Sequence, residues 1–93
     1  MRWEFEDDYG YWWPMHGEIV DVLTWYWFRG MRPDCLEVHP SCMPAGSYYE
    51  YDLEEMVQYR IRETETRVLY LASRSIRVLE LGAWPCEIRD CQS

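Results

Sequence analysis

Four cysteines and a histidine are the residues of this chain best suited to metal binding or nucleophilic chemistry. Cys35-x3-His39-x2-Cys42 lies in a proline-rich stretch, and Cys86-x4-Cys91 lies near the C-terminus. Together they offer thiolate and imidazole donors for one tetrahedral zinc ion, with one candidate to spare. Zinc would pin the long stretch, but neither cysteine pair has the two-residue spacing of a zinc knuckle. Disulfides within or across the pairs are a second reading, disfavoured in a reducing compartment. Four free thiols packed as small hydrophobes are the favoured reading. A small cysteine-dependent enzyme would use Cys35 as nucleophile and His39 as base, oriented by Asp34 or Glu37. Residues four apart align only on a helix, and Pro33 and Pro40 bracket too short a segment for one.

No other catalytic pattern stands out. The glycines at 10, 17, 30, 46 and 82 are dispersed and form no phosphate-binding loop. Adjacent acids such as Asp7-Asp8 and Glu54-Glu55 point to different sides of a turn or helix and read as solvated surface. His16, between Pro14 and Gly17, reads as an exposed or capping residue. The stronger hint is aromatic. Six Trp, eight Tyr and two Phe in 93 residues are more than one small core can enclose, so some reach the surface. Two segments mix aromatics with acids, as binding hot spots do: Asp7, Asp8, Tyr11 and Trp12 in one, and Tyr48, Tyr49, Glu50, Asp52, Glu54 and Glu55 in the other.

Charge is segregated along the chain. The net charge is −8; residues 1–55 carry 12 acids against 3 arginines, and residues 56–93 carry 5 against 6. Such a field repels nucleic-acid phosphates and attracts basic surfaces, which argues against direct DNA or RNA binding. No stretch approaches a membrane span, and the acidic N-terminus lacks the basic and apolar regions of a secretory signal. The expected location is cytoplasmic, the host cytoplasm if the chain is phage-encoded.

Gly17 to Gly30 is the most apolar stretch. Its acids near the start, Arg29 in the last turn, and Gly30 and Pro33 beyond predict a helix over about 18–29, with Gly17 as N-cap. Ile19, Leu23, Tyr26 and Trp27 share one face. Val20, Val22, Trp25 and Phe28 leave little of it polar, so burial nearly all round, by the domain or by a partner, is expected. Arg2-Trp-Glu-Phe-Glu6 alternates as a strand, Asp7 to Gly10 reads as a turn, and Pro14 ends the segment that follows. Between Met31 and Gly46 only Leu36-Glu-Val38 could form a strand. Asp52 and Glu55 make a capping-box pattern, and spacings of three and four from Leu53 predict an amphipathic helix over 53 to about 63. Residues 66–81 stay open between a hairpin turning at Ser73-Arg74, which β-branched residues favour, and a continuation of the helix. Arg60, Arg62, Arg67, Arg74 and Arg77 are expected on solvated faces, paired with Glu63, Glu65 and Glu80. The tail from Trp84 could add an edge strand.

These readings sum to one compact domain over 1–93, of α+β class, with two helices packed on a small antiparallel sheet. The alternative is mostly α, with one long helix from about 52 to 81. The expected function is a non-enzymatic acidic binding protein. Its concrete form is an inhibitor occupying a nucleic-acid-binding groove, its carboxylates standing in for phosphates against Lys and Arg. In size and charge the chain is similar to small phage proteins that block host defence nucleases, the anti-CRISPR group among them. The similarity is one of type, carried by no motif. The expected partner is a basic protein or nucleoprotein complex, and the acidic half of one copy meeting the Arg-rich half of another would give a homodimer. A small zinc-binding module is the alternative function.

Overall fold

A computed structural model of the chain describes residues 1–80. Six antiparallel strands and one helix follow in the order β1 (Arg2–Glu6), β2 (Trp12–Pro14), α1 (Gly17–Phe28), β3 (Leu36–Val38), β4 (Ser47–Asp52), β5 (Val57–Glu63) and β6 (Val68–Leu79). The strands form one sheet in the order β2-β1-β6-β5-β4-β3. The helix lies against one face of this sheet, so the expectation of two helices on a small sheet is overturned, as is that of one long helix over 52–81.

The second helix fails for a local reason. Asp52 Oδ1 accepts from the backbone N–H groups of Glu54 and Glu55 at 3.0 and 2.9 Å, as a helix N-cap would. The turn does not propagate, because Met56 adopts φ 59° and reverses the chain into β5. From there Val57, Tyr59 and Ile61 alternate with Gln58, Arg60 and Arg62, and strands on both sides supply the backbone partners. A period of two was present beneath the period of three to four. The reversal within 64–81 also lies elsewhere than expected. Thr64 N–H donates to the Arg67 carbonyl at 2.8 Å and closes the β5–β6 turn there. Ser73 and Arg74 run straight through a 12-residue strand.

β6 joins two half-sheets. Its first part pairs with β5 from Val68 to Ser75, and its last part pairs with β1, Ile76 opposite Phe5 and Leu79 opposite Arg2. β1 and β3 match the sequence reading; the aromatic segment before Pro14, not assigned a strand from sequence, forms β2, and Pro14 is tolerated there because β2 is an edge strand.

The helix agrees in position but not in burial. His16, and not Gly17, is its N-cap, with Nδ1 accepting from Glu18 N–H at 3.3 Å. Its end is a Schellman motif: Met31 N–H donates to Tyr26 O, Gly30 N–H donates to Trp27 O, and Gly30 takes the positive φ that the motif requires. Only Ile19 and Leu23 of the helix are buried. They pack with Trp3, Met15, Val38, Tyr51, Leu53 and Ile76 into the core. Inside it the Tyr51 hydroxyl donates to Gln58 Oε1 at 2.7 Å, which satisfies two buried polar groups. The expected all-round burial of the helix is not met by the described residues.

Candidate functional site: an exposed aromatic ridge on the helix

Among the described residues the cysteine and histidine candidates do not converge. Among the described residues no three His, Cys, Asp or Glu side chains form a metal-holding group. Cys35 and Cys42 are free and exposed, and Cys86 and Cys91 lie outside the described residues. Cys35 and His39 flank the extended β3, which sets them roughly 13 Å apart along the chain. His39 instead stacks on Tyr48, with ring centroids 4.4 Å apart, and its Nε2 lies 3.1 Å from Glu37 Oε1. The Glu50 carboxylate beside Cys35 raises its thiol pKa, first through a hydrogen bond and then by charge, and so disfavours the nucleophilic thiolate. Protein contacts hold the proline-rich connection. β3 pairs with β4, Leu53 N–H donates to Pro33 O at 2.8 Å, and the Ser41 N–H and hydroxyl both donate to Glu18.

The predicted acidic–aromatic residues are dispersed and largely engaged within the fold. Asp7 accepts from the Trp13 indole and from the backbone of Tyr9 and Tyr11, contacts that hold its carboxyl below the usual range, the indole foremost. Asp8 pairs with Arg74. Trp12 is half-buried under the Arg77 guanidinium, 4.2 Å from its ring centre, while Tyr11 is exposed. On β4, Tyr48 and Glu50 are buried on the sheet face opposite the helix, Glu50 accepting from the Tyr70 hydroxyl at 3.3 Å. Tyr49, on the other face, is half-buried at the margin of the core. Asp52 caps the β4–β5 turn, leaving Glu54 and Glu55 exposed. The two acidic segments occupy turns at opposite sides of β6, the β1–β2 turn beside Arg74 and the β4–β5 turn beside Ile76.

Arg60, Arg62 and Arg67 make no ion pair among the described residues. Of the expected arginine pairings none forms with Glu63, Glu65 or Glu80; Arg74 takes Asp8 and Arg77 takes Glu4.

The surface that stands out is one the sequence assigned to burial. Trp25 and Phe28, three residues apart, lie on the outer side of α1, with Val22 partly buried at the margin of the core and Met31 exposed just past the Schellman turn. Trp25 is 49% exposed, Phe28 72% and Met31 45%, in a helix whose inner face is closed. Asp21, Val22, Trp25 and Tyr26 line a shallow apolar hollow of about 380 Å³. The ridge is stiffened from within: the Arg29 guanidinium lies 4.0 Å over the Trp25 ring and donates to the Trp25 carbonyl, and Tyr26 meets Trp25 edge-on. The missed signal was the number of apolar faces: a helix of this composition needs cover on two sides, and a single sheet covers one.

No family model, curated protein or solved structure matches the chain, so the chemistry of this surface carries the functional reading.

Proposed function

We propose that this chain is a non-enzymatic binding domain that docks the outer face of α1 onto a basic partner protein. The observation that carries the reading is the exposure of Trp25, Phe28 and Met31, with an apolar hollow beside Trp25. Large aromatics held rigid by their neighbours lose little freedom on binding, and aromatic and Met side chains are enriched in interface cores. The net charge of −8 favours a basic partner through steering, and Asp21 at the hollow places one carboxylate at the contact itself. Among the described residues no helix is long and apolar enough to cross a membrane.

A finer version makes the partner a nucleic-acid-handling complex and the chain its inhibitor. It is favoured by Glu54 and Glu55, exposed together on the β4–β5 turn with no cation paired to them among the described residues. There the two carboxylates would stand in for phosphates.

Affinity capture from a nuclease-treated lysate tests both. The wild-type chain should retain a basic protein that Trp25→Ala/Phe28→Ala releases; equal retention by that variant removes the helix face from the contact. Earlier salt elution from Glu54→Lys/Glu55→Lys than from the wild type supports the phosphate stand-in, and an unchanged elution position removes it.

A further inference from the structure

The sheet has an open inner edge. β1 covers β6 only from Ile76 to Leu79, so the edge of β6 from Val68 to Ser75 on that side has no strand partner among the described residues. Its lower limit is the β1–β2 turn, where Asp8 reaches Arg74. The turn bond from Thr64 N–H to Arg67 O makes Val68 opposite Glu63 a non-hydrogen-bonded pair, and the alternation continues to Tyr70 opposite Ile61. The backbone N–H and C=O groups of Val68 and Tyr70 therefore point out of the sheet, toward the open edge.

Sheet edges are commonly blunted by Lys, Pro or inward-facing charge. Here Val68-Leu-Tyr-Leu-Ala-Ser73 carries no charge, Gly or Pro, and Val68, Tyr70 and Leu71 are exposed at 45%, 59% and 51%. Among the described residues the blunting device on this stretch is a bulge: opposite Arg60 and Ile61 the register shifts by one residue, at Leu71. The bulge limits flat, pairable edge to the stretch before it.

We propose that a second copy of this chain pairs antiparallel along this edge, about a two-fold axis through Leu69. This register faces both outward-pointing residues of one copy with those of the other, Val68 opposite Tyr70 and Tyr70 opposite Val68. It brings four main-chain donors to four acceptors. It also places β-branched against aromatic side chains on one face, a favourable cross-strand combination, and extends the row of Tyr48, Ile61 and Tyr70 across the axis. Arg67 comes to lie opposite Leu71, so no like charges are opposed. An isologous pair of this kind closes on itself, and the bulge stops it from growing. The proposal is independent of the helix face, which lies on a different surface of the domain.

The test is the sedimenting mass of the full chain over a range of concentrations, with two variants. The wild type is expected to approach twice the chain mass. Val68→Pro removes an outward donor without touching the β5 ladder, and is expected to sediment at the single-chain mass with unchanged circular dichroism. In the second variant, Leu69→Cys, two thiols meet at a non-hydrogen-bonded position across the axis. It is expected to form a covalent dimer under mild oxidation beyond any seen for the wild type, and it decides the question if Val68→Pro fails to fold. A wild-type chain at single mass throughout, a dimer that persists in folded Val68→Pro, or a Leu69→Cys chain that does not cross-link overturns the proposal.

Discussion

The Trp3 indole N–H donates to Thr24 Oγ1 at 3.1 Å, tying the first strand to the middle of the helix. Trp3 is fully buried and meets Trp27 edge-on with ring centroids 5.4 Å apart, and among the described residues this hydroxyl is the indole's one hydrogen-bond partner. Thr24→Val keeps the shape and strands the donor. It is expected to cost about 1–3 kcal/mol in urea unfolding, with Thr24→Ser retaining most of the stability.

The two sides of the helix should respond oppositely to truncation. Leu23→Ala opens a cavity in the core and is expected to lower stability by about 2–5 kcal/mol. Phe28→Ala, on the open ridge, is expected to change it by no more than about 0.5 kcal/mol. A large loss at Phe28 in thermal melts would mean that the ridge is covered.

Gly46 answers to both space and conformation. Its φ is +83°, and a Cβ built there would lie 2.9 Å from the Glu63 carbonyl oxygen, whose residue also donates its N–H to Gly46 O at 2.7 Å. Gly46→Ala is expected to destabilise by at least about 1–2 kcal/mol from the left-handed backbone alone, read as a shift in the urea midpoint with unchanged slope.

Acid should act through Glu4. Its carboxylate, buried on the uncovered sheet face, accepts from Arg2 Nε at 2.5 Å and Arg77 Nε at 2.8 Å. Those hydrogen bonds, Arg2 foremost, hold its pKa below the ordinary 4.5. Because the folded value is the depressed one, the stabilisation is complete above the unfolded pKa and disappears as pH falls through the folded pKa. Glu4→Gln should therefore be less stable at neutral pH and lose less between pH about 5 and 2. Asp7 and Glu18, held down chiefly by the Trp13 indole and the Ser41 backbone N–H, account for acid sensitivity that remains.

At high pH the direction reverses. Burial pushes the Tyr51 phenol far above its usual range, so its contribution is whole below the unfolded pKa of 10 and falls away above it. Tyr51→Phe should flatten the alkaline loss of stability while costing about 1–3 kcal/mol at neutral pH, since Gln58 Oε1 is left buried without its donor.

The sequence by itself determined the elements whose signals are local. The alternation of Arg2 to Glu6 made β1, the Gly30 stop ended α1, and Leu36-Glu-Val38 was the one strand its proline-rich connection allowed. Asp52 was rightly read as a capping residue, because an Asx carboxylate bonds the next backbone N–H groups whether or not a helix follows. What followed it was decided by tertiary structure. Val57 to Ile61 fits periods of both two and three to four, and only β4 on one side and β6 on the other, offering backbone partners, selected the strand. The same holds for Ser73 and Arg74, where a hairpin and an unbroken strand share one composition, and the strand forms because β6 spans two neighbours. The site was legible as composition, in the excess of aromatics and acids, but not as position. Which aromatics stay exposed depends on which helix face the single sheet covers, and which acids stay free depends on the arginines and indoles the sheet brings to them, as with Asp8 and Arg74 or Glu4 and Arg77. Those pairings join residues more than 60 positions apart, beyond the reach of any spacing rule, and the folding of the sheet alone creates them.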